Sequence, residues 1–205
     1  MSDESVSGTE GYAQAADSLV ERYEKRPPET VHAAVLHLFP TEPGHIIDIG
    51  AGTGRDAGYF ASKAHRVLAV EPTRELRERA MALHASDLIE WLNDSLPELK
   101  AVMARGETYD LIMMNAVWMH FDKAQRETAM PNIAALARSG ARVFMTLRHG
   151  PVPKNRRMFD VSGDETVALA ARHGFKALMN VHTASIQPEN KAAGVTWTRV
   201  VLEKL

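Results

Sequence analysis

The sequence predicts an α/β fold in which a doubly wound, mainly parallel sheet is covered by helices on both faces. Short apolar runs alternate with helical segments from residue 46 onward, which is typical of βαβ units. The chain has 205 residues, of which 45% are hydrophobic, so it is long enough for one sizeable core. We therefore expect a single domain over 1–205, with a disordered tail at 1–11, N-terminal helices at 12–40 and the core at 46–205.

Five strands are predicted in the first part of the core, each a short apolar run bounded by polar or turn-forming residues. They cover 46–49, 66–70, 88–92, 109–115 and 141–147. Helices are predicted at 55–63 and 74–84 between them, and at 12–25 and 29–38 before the first strand. This order of elements favours parallel pairing.

The later helices carry recognisable start and stop residues. Asp122 and Gln125 have the spacing of a capping box, and Gly140 is expected to end that helix. Ser162 begins the next helix and Gly174 ends it. The last two strands, at 175–182 and 195–203, are separated only by a polar connection without a helix, so they are expected to pair antiparallel.

Composition excludes several classes of function. The net charge of −2 gives no overall field for a polyanion, so nucleic-acid binding is not expected. The absence of cysteine excludes disulfides, thiolate metal sites and cysteine nucleophiles, and no His, Asp or Glu residues have metal-ligand spacing. Because no apolar run reaches about 18 residues and the start has no signal pattern, we expect no membrane segment and a cytoplasmic protein.

A glycine-rich turn follows the first strand of the core. Gly50, Gly52 and Gly54 allow the backbone to turn sharply and to approach a ligand closely, although tight turns also use glycine for structural reasons. Glu71 ends the next strand 21 residues after Gly50, near the interval at which an acid accepts hydrogen bonds from ribose hydroxyls. Together they indicate a nucleoside site, although Glu71 alone would also be ordinary as a solvated charge at a helix entry.

The G-x-G-x-G spacing, with Asp48 before it, resembles the class I S-adenosylmethionine-dependent methyltransferases and fits a nicotinamide enzyme less well. The resemblance is close over about 46–149. It implies a Rossmann-like seven-stranded sheet of order 3-2-1-4-5-7-6 with the last strand antiparallel, S-adenosylmethionine as cofactor and S-adenosylhomocysteine as product. The cofactor contacts that it implies are Asp48, Gly50, Ala51, Gly52, Gly54, Glu71, Pro72, Asp94, Ser95, Asn115 and Ala116.

Departures from other branches of the family narrow the acceptor. Methyltransferases acting on exocyclic amines of DNA bases carry Asn/Asp-Pro-Pro-aromatic where this chain has Asn115-Ala116-Val117-Trp118, and cytosine C5 methylation needs a cysteine. A small-molecule or protein acceptor is therefore favoured. His120 follows in a segment where many small-molecule members have a histidine, so it is the candidate general base, with a loop-fixing hydrogen bond as the equal alternative.

Basic residues concentrate after the fifth strand, between Arg148 and Arg157. Arg148 and His149, with Trp118, are the candidate substrate contacts, because guanidinium groups suit a carboxylate or phosphate. A solvated loop is the alternative for the rest of this segment. Tyr12 and Tyr23 either close over the cofactor or pack into the core.

The function expected from the sequence is methyl transfer from S-adenosylmethionine to a small, possibly anionic molecule. Two alternatives stay open: a non-catalytic module that binds the same cofactor, and a nucleotide-cofactor oxidoreductase. The sequence gives no prediction of the oligomeric state.

Overall fold

The computed structural model describes residues 6–205. Its centre is one seven-stranded sheet of order β3-β2-β1-β4-β5-β7-β6. The strands are β1 (His45–Ile49), β2 (Arg66–Val70), β3 (Ile89–Leu92), β4 (Tyr109–Asn115), β5 (Ala137–His149), β6 (Phe175–Ala184) and β7 (Thr196–Lys204). β7 runs antiparallel to both β5 and β6, and every other pairing is parallel. The predicted fold class, strand order and antiparallel last strand are confirmed.

Helices cover both faces of the sheet. They are α1 (Ala16–Glu24), α2 (Pro28–Val31), α3 (Arg55–Ser62), α4 (Arg74–Leu83), α5 (Lys100–Met103), α6 (Lys123–Leu136), α7 (Gly163–Ala171) and α8 (Pro188–Ala192). Successive strand residues point to opposite faces. On β4, for example, Ile112 and Met114 pack with residues of α6 and α7, whereas Leu111 and Met113 pack with residues of α3. Within residues 6–205, no helix combines the length and apolarity needed to span a bilayer.

The helix starts in the second half of the chain follow their sequence signals. Asp122 accepts from the Gln125 amide at 2.9 Å, and the Gln125 side chain accepts from the Asp122 amide at 3.1 Å, so the capping box is confirmed. The Ser162 hydroxyl accepts from the Glu165 amide at 3.0 Å. Gly174, after α7, has a φ of +79°.

The N-terminal region departs most from expectation. The helix predicted at 12–25 begins only at Ala16, and residues 9–15 form turns. The helix predicted at 29–38 is reduced to α2 and a short 3-10 turn (Leu36–Leu38), because the chain turns to bury His32 beside Asp56. Of the predicted tail at 1–11, residues 7–8 and 10–11 form turns, and residues 1–5 lie outside the described residues.

Two other boundaries are corrected. α6 ends at Leu136 rather than at Gly140, and β5 begins at once. The pairing of β4 with β5 shifts register between Tyr109 and Leu111, and Gly140, with a φ of +79°, lies in the extra residues of that bulge. The connection between β6 and β7 contains the short helix α8, with Pro188 in its first turn.

Candidate functional site

The glycine turn lies between the end of β1 and the start of α3. Gly50 has a φ of +72°, and a Cβ there would be 2.7 Å from Cγ2 of Val117. Its amide donates to the Val70 carbonyl at 2.8 Å, which ties the turn to the end of β2. Gly54 differs, because its missing Cβ lets α3 approach His84 and Trp91, and it lines neither cavity described below.

Glu71 connects the glycine turn to the entry of α4. One carboxylate oxygen accepts from the Gly52 amide at 2.8 Å and the other from the Thr73 amide at 2.7 Å. Burial raises the pKa of Glu71, and these two hydrogen bonds oppose the rise. The side chain is thus held rigidly, and each carboxylate oxygen retains a lone pair for another donor.

Asp94 is held by its own turn. Its two carboxylate oxygens accept from the Ser95 amide at 2.8 Å and from the Val102 amide at 2.9 Å. The Ser95 amide, which the resemblance would direct to an adenine ring, therefore donates to Asp94 instead. Both residues lie beside the first cavity described below.

A series of hydrogen bonds among polar groups fixes the end of β4. The Asn115 amide group donates to Asp56 at 3.0 Å, and its carbonyl accepts from the Thr146 hydroxyl at 2.7 Å. The same hydroxyl accepts from the Ala116 amide at 2.7 Å, and Ala116 has a φ of +62°. This conformation is uncommon for a residue with a Cβ, and such residues are enriched at functional sites.

Two buried carboxylates, those of Asp48 and Asp56, lie near these hydrogen bonds. His32 and Arg55 each approach Asp56 at 3.0 Å and hold its pKa below the ordinary range despite burial. Burial and the neighbouring Asp56 raise the pKa of Asp48, and its Oδ2 has no hydrogen-bond partner among the described residues. Asp48 is therefore open to a cationic ligand.

Two cavities meet above the carboxyl ends of the central strands. The first has about 780 Å³ of space between its lining atoms, part of it open to solvent. Among the predicted residues it is lined by Gly50, Gly52, Glu71, Pro72, Asp94, Ser95, Asn115, Ala116 and His120. The second, of about 1680 Å³, is lined by Asp48, Ala51, Arg148 and several other basic residues, and it shares Tyr12, Gly50, Asn115 and Ala116 with the first. We call them the first and the second cavity.

His120 is buried at the first cavity and is oriented from both sides. Its Nδ1 lies 2.6 Å from the Arg157 carbonyl, which can only accept, so Nδ1 carries the proton. Nε2 is then the acceptor for the Tyr12 hydroxyl at 2.9 Å. Burial lowers the pKa of His120 and raises that of Tyr12, so both are neutral near neutral pH.

The N-terminal segment covers this region. Residues 6–9 line the first cavity, and Tyr12 lines both. The Arg156 guanidinium lies 4.0 Å from the centre of the Tyr12 ring and donates to the Glu10 carbonyl at 3.1 Å. Arg157 donates to the Ser7 hydroxyl. Two basic residues left open in the sequence analysis thus hold the N-terminal segment.

Two of the three residues predicted to contact the substrate do not line the second cavity. Trp118 is fully buried in the hydrophobic core and lines neither cavity. His149 follows Arg148 on β5, so it points to the opposite face, where it bonds Thr198 at 2.8 Å and stacks near His182. Of the three, only Arg148 lines the second cavity.

The sequence did not single out several residues around the second cavity. Thr146 and Asp56 belong to ordinary strand and helix patterns, and Arg199 and Trp197 lie on β7, far from every motif. Strand pairing was the signal that could have identified Arg199, because the antiparallel pairing of β7 with β5 places Arg199 opposite Thr146. Among the described residues, no three His, Asp or Glu side chains are grouped as a metal site.

Comparisons with known proteins agree with this geometry. A family model described as a methyltransferase domain matches residues 46–140. An uncharacterized methyltransferase of Mycobacterium tuberculosis is 26% identical over 133 residues, which cover 62% of this chain and 49% of that protein. The chain thus spans about half the length of the curated relatives it matches.

Two solved structures share the fold. The Burkholderia thailandensis 1,6-didemethyltoxoflavin-N1-methyltransferase, with bound 1,6-didemethyltoxoflavin and S-adenosylhomocysteine, has a TM-score of 0.73 at 20% identity and covers 94% of this chain and 85% of that chain. The N-methyltransferase NodS of Bradyrhizobium japonicum, in complex with S-adenosylhomocysteine, has a TM-score of 0.71 at 14% identity and covers 94% and 98%. These comparisons show that residues 46–140 are similar to a methyltransferase domain and that the chain shares the fold of the two enzymes solved with S-adenosylhomocysteine.

Proposed function

We propose that this protein transfers a methyl group from S-adenosylmethionine to a small acceptor that carries an anionic group. The observation that carries the proposal is the meeting of the two cavities at Asn115 and Ala116. The first cavity contains the glycine turn and Glu71, and the second is rich in basic side chains. A cofactor and an acceptor placed in them would meet where β4 ends.

The residues of the first cavity fit the cofactor. Glu71 has free lone pairs for ribose hydroxyls, and a Cβ on Gly50 would close the turn against Val117. Asp48, buried with an unpartnered oxygen beside the shared wall, would hold the ammonium group of the methionine part. When bound, S-adenosylmethionine supplies a methyl group on a positively charged sulfur.

We assign the proton transfer to Tyr12 and His120 together. His120 lines only the first cavity, and its acceptor nitrogen already receives the Tyr12 proton, so it acts on the acceptor through Tyr12. As the acceptor's O–H or N–H becomes a bond to the methyl group, Tyr12 takes that proton and passes its own to Nε2. The Arg157 carbonyl keeps the imidazole oriented during the transfer.

The anionic character of the acceptor is proposed from the charge around the second cavity. Its basic residues are Arg22, Arg26, Arg55, Arg148, Lys154, Arg156 and Arg199, against the acids Asp48 and Asp56. Asp56 is already balanced by His32 and Arg55. A small acceptor is further supported by the Burkholderia thailandensis structure, in which 1,6-didemethyltoxoflavin is bound.

Binding and turnover measurements test the proposal. Calorimetry with S-adenosylmethionine and NAD should show binding of the first, and tighter binding of NAD would indicate a nucleotide-cofactor oxidoreductase. Release of S-adenosylhomocysteine should then be measured over a panel of hydroxy and amino carboxylates, each paired with its neutral amide. Cofactor binding without turnover across the panel would favour the non-catalytic module.

A further inference from the structure

One wall of the second cavity is built by neighbouring residues of β5 and β7. Thr146 pairs with Arg199, and Arg148 pairs with Trp197. Residues two apart on a strand share a face, so these four side chains lie side by side. All four line the second cavity.

The two arginines of this wall have no carboxylate partner among residues 6–205, in contrast to Arg55, Arg126 and Arg138. Arg148 donates to the Pro151 carbonyl at 2.7 Å, and Arg199 donates to the Thr183 hydroxyl. The buried Nε of Arg199 has no acceptor within residues 6–205. Removal from water disfavours both guanidinium charges and lowers the pKa of both side chains, although each stays protonated.

The other charged residues of this cavity do not supply the missing anion. Asp56 is paired with Arg55, and Arg156 is stacked on Tyr12. Asp48 lines the second cavity, but the proposed function assigns it to the ammonium group of the cofactor. Two fixed guanidinium groups on a rigid sheet thus face a cavity without a balancing carboxylate.

Resting on the proposed function, we propose that Arg148 and Arg199 bind a carboxylate of the acceptor while the Trp197 ring packs against its body. The Nε and Nη edge of a guanidinium presents two parallel donors, which match the two oxygens of a carboxylate. Trp197 lies across from Arg148 and donates its indole N–H to Ser185 at 3.4 Å, which leaves the ring as an apolar surface. The subsite therefore selects small planar carboxylates.

Benzoate is a suitable probe because it is planar and carries one carboxylate. We expect calorimetry on the S-adenosylhomocysteine-saturated protein to give a Kd on the order of 1 mM. Arg148→Gln and Arg199→Gln should each raise this Kd roughly tenfold, since each removes a charge-assisted hydrogen bond. Benzamide, the neutral counterpart, should bind at least tenfold more weakly (~1.4 kcal/mol).

Lys191→Gln is the matched control. α8 borders the second cavity through Asn190, but Lys191 on the same helix is exposed and lines neither cavity. Benzoate binding should change less than about twofold in this variant, because the subsite is local rather than a general positive field. Circular dichroism and thermal melting should show all three variants folded.

Several results would overturn the subsite: unchanged benzoate affinity in Arg199→Gln, an equal loss in Lys191→Gln, tighter binding of inorganic phosphate, or no benzoate binding at tens of millimolar. Displacement of benzoate by S-adenosylhomocysteine would also overturn it, because the arginines would then bind the cofactor's own carboxylate. If benzoate shows the expected variant pattern while S-adenosylhomocysteine does not bind, the subsite stands and the proposed function fails.

Discussion

The two cavities differ in how their polar groups are held. Around the first, Glu71 and Asp94 each accept two backbone N–H groups before any ligand arrives. Around the second, Arg148 and Arg199 have one hydrogen bond each and no carboxylate partner among the described residues. The acids of the first cavity are thus hydrogen-bonded to the protein's own backbone, whereas the two arginines of the second cavity retain N–H donors for a ligand.

This difference shows where specificity can lie. A site whose acids are fixed by backbone amides is preorganised for one ligand and belongs to the shared fold. A site with unbalanced guanidinium groups on strand ends can change its ligand by single substitutions, without disturbing the core. Cofactor recognition and acceptor recognition should therefore respond separately to mutation.

Trp118→Ala tests where the site ends and the core begins. Because Trp118 is fully buried, its truncation should lower the free energy of unfolding by about 3–5 kcal/mol, and Trp118→Phe by clearly less. Urea unfolding measures both. A Trp118→Ala protein with unchanged stability and weaker acceptor binding would contradict this expectation and indicate that Trp118 contacts the acceptor.

Glu71→Ala should separate the cavities most clearly. Loss of two charge-assisted hydrogen bonds of about 1.5 kcal/mol each should loosen the glycine turn and weaken S-adenosylhomocysteine binding roughly 100-fold. Benzoate binding should persist. Glu78→Ala, an exposed position on α4 outside both cavities, is the control. Equal losses for both ligands would mean that the cavities are one site.

Tyr12→Phe tests one of the residues that line both cavities. The ring remains for Arg156, but the hydroxyl that contacts His120 is removed. Turnover should fall by about 10²-fold with S-adenosylhomocysteine affinity nearly unchanged, because only the proton transfer is affected. Steady-state kinetics with an acceptor from the panel measures this. An equal fall in cofactor affinity would instead make Tyr12 a cover of the first cavity.

The smallest effect concerns pH. Burial holds the pKa of His120 below its ordinary value of 6.5, so the unfolded chain takes up a proton first as the pH falls. Stability should therefore decrease as the pH falls below 6.5, and the decrease should stop once the folded pKa is passed. His120→Gln should flatten this decrease in melting temperature between about pH 8 and about pH 5. An unchanged slope would assign it to His45, His65 and His149, whose pKa values burial also lowers.

Local signals predicted the sheet and the glycine turn. The strand at 109–115 contains four consecutive apolar residues, and the capping residues of α6 lie three positions apart, so neighbouring residues carry the information. The proton path could not be predicted in this way, because Tyr12 and His120 are 108 residues apart and meet only through tertiary packing. His149 failed for a simpler reason: one position along a strand reverses the face.

The contacts of Arg156 and Arg157 with residues 7–12 join two stretches of chain that are almost 150 positions apart. Under the proposed function, exchange of a ligand past this side of the first cavity requires those contacts to open and close again. The strength of these contacts therefore affects the rate of ligand exchange as well as the affinity for the ligand. A variant in which the contacts are stronger should release its product more slowly.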